Sequence, residues 1–354
     1  MEQKLIFTSE PARELDTLIF GYAPSGLFLL ADTNTARLVV PQLMEHSPAL
    51  AAAQVIEITA GDDHKSLDAL AHVWHRLSDS GATRHSMLVN VGGGMVTDLG
   101  GFAAATFKRG IRFINLPTTL LGAVDAAVGG KTGINFAGLK NEVGVFAKAC
   151  AVIISTRYFG TLPHSELLSG YAEMLKHALI ESPQALAQAL DYDLGSADPG
   201  QLLPLLERSV RVKERIVTED PFERGIRRAL NLGHTVGHAF ESKAMAAGTP
   251  VPHGHAVAWG LVVDLILSHI HLGFDSAILR QVAQFVSDNY PAPSLKCSDY
   301  GTLIELMRHD KKNVDAATIN FTLLRAPGDV CIDCTASPDE ISAALDIFRD
   351  LMHI

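Results

Sequence analysis

The stretch Asn231-Leu232-Gly233-His234-Thr235-Val236-Gly237-His238 sets two imidazoles at i and i+4, on one face of a helix, and His253-Gly254-His255 follows after a loop. Histidines at this density suit Zn²⁺ or a similar divalent ion, which takes imidazole nitrogen and carboxylate oxygen. Hydrogen-bonded core histidines are the competing reading. Upstream, Glu173 and Lys176 stand at i and i+3 in Gly170-Tyr171-Ala172-Glu173-Met174-Leu175-Lys176. Taken alone, that pair is an ordinary helix-surface ion pair worth about 0.2–0.5 kcal/mol. Three protein ligands with a vacant position would make a catalytic metal site, because the open position can take substrate.

A second group of residues could hold phosphate. Gly92-Gly93-Gly94 directly follows the apolar run ending at Val91 and opens a helix containing Asp98 and Gly100-Gly101. Glycines there let backbone N–H groups approach a pyrophosphate, and a helix N-terminus favours the anion. The pattern is not GxGxxG, and a tight turn without a ligand would look the same. Other polar segments also sit at strand ends: Asp32-Thr33-Asn34, Asp62 to Lys65 and Pro117-Thr118-Thr119. Gly129-Gly130-Lys131-Thr132-Gly133 resembles a P-loop, but Asp125 stands where its first glycine belongs. Asp125, Lys131, Lys140 and Asn141 still concentrate charged and polar groups in what reads as a glycine-rich loop, with Arg109 upstream as a further phosphate contact.

Both groups need a frame. Leu27–Ala31, Val55–Ile58, Met87–Val91, Phe113–Leu116 and Val152–Ile154 read as strands, with a helix from Leu67 to Ser78 closing at Gly81. Strands interleaved with helices predict a mostly parallel sheet covered on both faces, whose ligands bind beyond the carboxyl ends of the strands. The second half loses the strands. Helical spacing runs through Glu166–Ile180, Gln201–Val217, Ala229–Ala246, Ala256–Leu272 and Pro338–Met352. An α/β domain over 1–155 and a mainly helical domain over 156–354 are therefore expected.

Composition narrows the function classes. The chain has 354 residues, 47% of them hydrophobic, with Lys+Arg 29 against Asp+Glu 39 for a net charge of −10, and no basic block. Nucleic-acid binding is disfavoured, since phosphate neutralisation needs clustered cations, whereas a few local cations suffice for a small anionic substrate. Four cysteines are too few for a disulfide scaffold, and Cys331-Ile-Asp-Cys334 has no second pair to make a zinc ribbon, so its thiols read as structural. The stretch Ala256–Phe274 is interrupted by Asp264, His269 and His271, which disfavours a membrane span. With no apolar signal-peptide core at the start, a cytoplasmic location is expected.

The motifs together resemble the 3-dehydroquinate synthase family of the sugar phosphate cyclases. They are Gly92-Gly93-Gly94-x3-Asp98, Arg109-Gly110, Pro117-Thr118-Thr119-Leu120-Leu121, Gly129-Gly130-Lys131-Thr132, Gly138-Leu139-Lys140-Asn141, Ala172-Glu173-x2-Lys176, Arg227-x3-Asn231-x-Gly233-His234-x3-His238, His253-Gly254 and Asp310-Lys311-Lys312-Asn313. They keep the family's order from about residue 30 to 325. The resemblance implies a Rossmann-like NAD domain, a helical metal-binding domain and a homodimer acting on a phosphorylated sugar acid. It implies Glu173, His234 and His253 as ligands of zinc, with cobalt as a substitute. It gives Asp32, Asn34, Asp62, Lys65, Gly93, Gly94, Asp98, Thr118, Thr119, Lys140, Thr161 and Leu162 to NAD. Lys131, Lys176, Lys213, Arg227, Asn231 and His238 fall to catalysis, and Arg109, Asp125, Asn141 and Lys311 (favoured over Lys312) to substrate. His238 is then a substrate-side group, not a fourth ligand.

The implied reaction converts 3-deoxy-D-arabino-heptulosonate 7-phosphate to 3-dehydroquinate and phosphate. Transient oxidation at C5 acidifies the C6 proton, phosphate leaves, reduction follows, and ring opening with an aldol step closes the carbocycle. Another sugar-phosphate cyclase and a metal-dependent NAD polyol dehydrogenase are the alternatives, along with a decayed site kept for binding. Two positions depart from the family pattern. Asp62 replaces a glutamate, and His255 replaces an acidic residue, which puts a partner of the metal ligands in doubt. Without substrate, Lys131 and Arg227 are expected to be water-exposed or loosely paired.

Overall fold

β4 (Met87–Gly92) and β5 (Arg112–Pro117) are buried from end to end save Arg112, as the inner strands of a parallel sheet must be when helices cover both faces. The computed structural model describes residues 3–196, 198–308 and 319–354. It divides into two units, one of Met1–Pro163 with Asp198–Val210, the other of His164–Ala197 with Arg211–Ile354. The change of unit thus falls at Pro163 rather than at 155, and a later segment returns to the first unit, where Thr156 Oγ1 donates to the Pro199 carbonyl at 3.0 Å.

The sheet of the first unit also contains β1 (Lys4–Phe7), β2 (Leu27–Asp32), β3 (Gln54–Ile58) and β8 (Ala151–Ile154). All pairs are parallel, in the order β1-β8-β5-β4-β2-β3. The five strands read from sequence are present. β1, only four residues long, adds an edge by pairing with β8. The chain runs from β2 out to β3 and then back past β2 to β4, so the order reverses between β2 and β4. At such a switch point the carboxyl ends open a crevice, here between Asp32 and the glycines after β4. Leu29, Val89, Ile114 and Ile153 fill the core beneath it.

The expected glycine-rich loop is instead ordered structure. Gly122–Ala126 is a π-helical turn, and β6 (Lys131–Phe136) pairs antiparallel with β7 (Leu139–Phe146). Lys131 therefore begins a strand. Gly133 and Gly144 face each other in this hairpin, where a Cβ on either would strike the opposite backbone. The glycines that suggested a loop serve close strand approach.

The second unit is mainly helical, but not free of strands. β9 (Asn320–Ala326) and β10 (Asp329–Thr335) form an antiparallel hairpin beside the helices of this mainly helical unit. The helix expected from Ala229 begins at His234, because Gly233 at φ 78 breaks it and Ile226–Asn231 is a 3₁₀ turn. The centre is the helix His253–Leu272, buried continuously from Gly254 to Ser268. It is long and apolar enough to cross a membrane, but its most apolar window is 78% buried inside the protein, as a core helix is.

Glycines let the neighbouring helices His164–Glu181 and His234–Ala246 approach it closely. A Cβ at Gly254 would collide with the Ser169 carbonyl, and one at Gly260 with the backbone of Gly233 and Gly237. Gly260→Ala should destabilise the protein by about 3 kcal/mol, because only backbone lies in the way. Gly21→Ala, at an exposed position of the helix Pro11–Tyr22 with nothing within 4 Å, should stabilise it by about 0.5 kcal/mol. Denaturant titration of the two variants checks the opposite signs.

Candidate active site

In the first unit a buried cation organises the strand ends. Lys65, 4% exposed, follows the 3₁₀ turn Asp62–His64. Its Nζ reaches Asn141 Oδ1 at 2.6 Å, Asp98 Oδ2 at 3.2 Å and Asp62 Oδ1 at 3.3 Å. Lys140 Nζ lies 3.7 Å from Asp62 Oδ2. The shorter arm of Asp62 thus still meets both lysines. Asn141, at φ 54, also takes Asn135 Oδ1 on its backbone N–H at 2.9 Å. Its carboxamide, given to substrate by the resemblance, thus touches Lys65, which the resemblance gives to NAD.

Gly93 caps the helix Gly94–Thr106 at the end of β4, with Asp98 one turn in. A Cβ at Gly93 would stand 3.0 Å from Thr119 Cγ2, and one at Gly94 3.1 Å from Ala126 Cβ, so only glycine leaves the backbone approachable. Thr118 is buried, and its Oγ1 has no hydrogen-bond partner among the described residues. Thr119 Oγ1 accepts from the Gly122 N–H at 2.9 Å. Asp32 ends β2 and caps the next helix, its Oδ1 accepting from the N–H groups of Asn34 and Thr35 at 2.9 and 2.8 Å. Thr161 and Leu162 close the 3₁₀ turn Thr156–Thr161. Arg109 is exposed at φ 69, and Asp125 lies in the π-helical turn. A cradle closed to side chains, with an orphaned buried hydroxyl beside it, fits a dinucleotide phosphate.

In the second unit the helix contacts fix the polar groups. Gly254 rests on Ser169, whose Oγ accepts from the Gly254 N–H at 3.0 Å. One turn beyond Ser169 is Glu173, and one residue before Gly254 is His253. The Gly233 N–H donates to buried Asp264 Oδ2 at 2.6 Å, which sets the start of the helix carrying His234 and His238. Glu173 Oε1 lies 3.3 Å from His234 Nε2 and 3.6 Å from His253 Nε2. Donors each about 2.1 Å from a tetrahedral ion stand about 3.4 Å apart, so this set suits one such ion. His238 joins the group, with ligand-type nitrogens of the three histidines within 4.8 Å of one another.

The other ring nitrogens are engaged. His234 Nδ1 donates to the Leu232 carbonyl at 3.1 Å, and His253 Nδ1 to Glu241 Oε2 at 2.9 Å. Both bonds turn Nε2 toward Glu173, where it would carry a proton in the metal-free protein and offer its lone pair to a metal ion. Glu241 was missed from sequence, although 234, 238 and 241 follow helical i, i+4, i+7 spacing on one face. His255 takes no part. Its Nε2 bonds the Ser165 carbonyl at 3.1 Å, its ring packs edge-on against Tyr290, and burial lowers its pKa.

Glu173 and Lys176 are not a surface pair. Both are 1% exposed, and Lys176 Nζ pairs with Glu173 Oε2. Burial opposes the charge of Glu173, yet Lys176 and His234 hold its carboxyl well below the usual range. Lys213 is also buried. Arg227 departs from expectation: it is 4% exposed and its Nη1 donates to the Pro221 carbonyl at 2.7 Å, so it is pre-positioned rather than loose. Asp220 accepts from the N–H groups of Arg224, Gly225 and Arg227 and so shapes that turn. Asn231 Nδ2 lies 3.5 Å from Glu223 Oε1. Lys131 is exposed, as expected. Lys311 and Lys312 lie outside the described residues.

Two outcomes follow from the imidazole environment. Burial depresses the His253 pKa, but hydrogen bonds to Glu173 and Glu241 outweigh this and raise it to about 9. A raised folded pKa gives stability that is present below the unfolded value and lost as pH rises through the folded one. The metal-free protein should therefore lose thermal stability between about pH 6.5 and 9, and His253→Ala should flatten that slope. Glu241→Gln should weaken zinc binding about 10- to 100-fold in a chelator competition, with the metal-free protein still folded.

Family models described as 3-dehydroquinate synthase N-terminal and 3-dehydroquinate synthase C-terminal match residues 55–169 and 170–313. A 3-dehydroquinate synthase of Parabacteroides distasonis is 50% identical over 353 residues, covering 100% of this chain and 99% of its own. The fold is that of 2-deoxy-scyllo-inosose synthase, solved with carbaglucose-6-phosphate, NAD+ and Co2+ (TM-score 0.83, 22% identity, 98% of this chain and 96% of that one). It is also that of 2-epi-5-epi-valiolone synthase from Streptomyces hygroscopicus subsp. jinggangensis, solved with NAD+ and Zn2+ (TM-score 0.82, 24% identity, 99% and 97%). Matched across both units and along its whole length, the chain belongs to the 3-dehydroquinate synthase family.

Proposed function

We propose that the chain is a phosphate-eliminating carbon–oxygen lyase that converts 3-deoxy-D-arabino-heptulosonate 7-phosphate to 3-dehydroquinate, using NAD and a divalent cation, zinc or cobalt. The observation that carries this reading is the convergence of Glu173, His234 and His253 at separations suited to one ion, in a chain of this family. When bound, the cation polarises the C5 oxygen while NAD lends and recovers a hydride, which makes the C6 proton acidic enough for phosphate to depart from C7. Lys176 engages Glu173 Oε2 and leaves Oε1 turned to the imidazoles.

His238 takes or returns a proton at a substrate oxygen in this reading, supported by its ring centroid lying 5.3 Å from that of His234. Arg227, Asn231 and Lys213, with Lys311, orient the carboxylate and phosphate of a flexible substrate. In the first unit Gly93, Gly94, Thr118 and Thr119 take the dinucleotide phosphates, and Lys65, Asp62, Asp98 and Lys140 hold its nucleoside portion together with Asp32 and Asn34. Lys131 and Arg109 contribute positive charge toward the anionic substrate, and Asp125 accepts from its hydroxyl groups. The substrate's own phosphate accepts the C6 proton, so no separate carboxylate base is required.

The enzyme works in the cytoplasm as a homodimer. β7 is exposed along its whole length and presents Leu139, Val143, Val145 and Phe146, with Phe136 beside them. An exposed apolar strand invites pairing, and a second copy supplies a matching one. Sedimentation should give a dimer for the wild type and a monomer for Val145→Lys/Phe146→Lys. A monomeric wild type at micromolar concentration would refute this.

Activity is tested by phosphate release from 3-deoxy-D-arabino-heptulosonate 7-phosphate. NAD should be needed only in catalytic amount, with no accumulation of NADH. NADH formed in step with product would favour the dehydrogenase alternative. Lys131→Met should lower turnover at least about 100-fold while changing stability by no more than about 0.5 kcal/mol, because the side chain is exposed.

A further inference from the structure

Cys331 and Cys334 stand in the β10 strand of the second unit, outside the groups described above. In a regular strand, residues three apart point to opposite faces with Cα atoms about 10 Å apart. A disulfide needs Cα atoms within about 7 Å, so CxxC in a flat strand cannot close. β10 is not regular here. Cys331 pairs with Leu323 and Cys334 with Phe321, so three steps along β10 match two along β9. One residue is extra, which defines a bulge. Asp333 takes it up in the left-handed region at φ 55.

The bulge turns both thiols to the same side. Their sulfurs are 3.0 Å apart, and the Cys334 thiol also points at the Cys331 carbonyl at 3.5 Å. Both residues are half-buried, open enough for a small reagent. Burial and the bond to Cys331 push the Cys334 thiol up to about 12, so Cys331 is the sulfur that a reagent meets first. Asp333 is held in place from outside the hairpin: Arg228 Nη1 donates to its Oδ1 at 2.9 Å and to its Oδ2 at 2.7 Å. The Arg228 carbonyl accepts from Thr322 Oγ1 of β9 at 2.9 Å. The bulge is thereby fastened to the turn Ile226–Asn231, which carries Arg227 and Asn231.

We propose that Cys331 and Cys334 form a reversible intrachain disulfide, preorganised by the Asp333 bulge. The oxidant is a small-molecule disulfide. Cys331 displaces one of its thiols to give a mixed disulfide, and Cys334 then displaces the other. The two cysteines lose two electrons and two protons in all, and the reagent leaves as two thiols. Closing the link locks the bulge that Arg228 grips.

Full-length protein equilibrated in glutathione redox buffers, acid-quenched, alkylated and digested tests this directly. One disulfide joining Cys331 to Cys334 is expected, reversed by dithiothreitol, with Cys150 and Cys297 alkylated as free thiols. Cys331→Ser and Cys334→Ser should each lack it. Asp333→Gly keeps the left-handed backbone and should keep the link, whereas Asp333→Val, whose branched side chain resists positive φ, should need a roughly tenfold more oxidising ratio. Free thiols at both positions in the most oxidising buffer, or glutathione adducts in place of the link, would overturn the proposal. Equal ratios for the Gly and Val variants would overturn the part given to the bulge.

Discussion

The second unit is built around keeping one carboxylate charged where water does not reach. Glu173 is 1% exposed, and an isolated carboxylate at that depth would cost several kcal/mol and take up a proton instead. It stays ionised because both its oxygens have partners: Oε2 meets Lys176, and Oε1 meets the imidazole edges of His234 and His253. A divalent ion held by Glu173, His234 and His253, as proposed, would replace protons on the imidazoles and keep positive charge beside the carboxylate. Such a site is unfavourable when only partly assembled, and the surrounding helices must therefore deliver all its members together.

Delivery depends on small residues. Gly254 on Ser169, and Gly260 on Gly233 and Gly237, bring helix backbones close enough for short side chains to converge. Asp264 then fixes the Gly233 N–H, and Glu241 fixes the His253 ring. The same logic recurs in the first unit. There Gly93 and Gly94 hold open an approach at the sheet's switch point, and Lys65 ties the segment after β3 to the helix Gly94–Thr106 through Asp98 and to the hairpin through Asn141. In both units the reactive side chains are few, and most of the specification lies in residues that hold them in place.

Much of this was legible in the amino-acid sequence, for identifiable reasons. The inner strands are apolar along their length, and the histidine spacing carries a helical period. Other parts were hidden because their signal is long-range. β1 is four residues whose strand state depends on β8, distant in sequence. The β6–β7 hairpin looked like a loop because Gly133 and Gly144 lower strand propensity while permitting close pairing. Arg227 read as a loose cation because nothing local reveals that the Pro221 carbonyl will meet it. His255 looked like a damaged partner of the metal ligands, yet it faces Ser165, and Glu241 on a different helix serves His253. Chemistry-bearing types were visible; which of them would touch was not.

The central claim is that a carboxylate and two imidazoles, not three imidazoles, form the metal site. Anomalous-difference crystallography of the zinc-loaded protein measures this directly. The account predicts one ion about 2.0–2.2 Å from Glu173 Oε1, His234 Nε2 and His253 Nε2. An ion bound by His234, His238 and His253, with Glu173 outside its coordination, would contradict it.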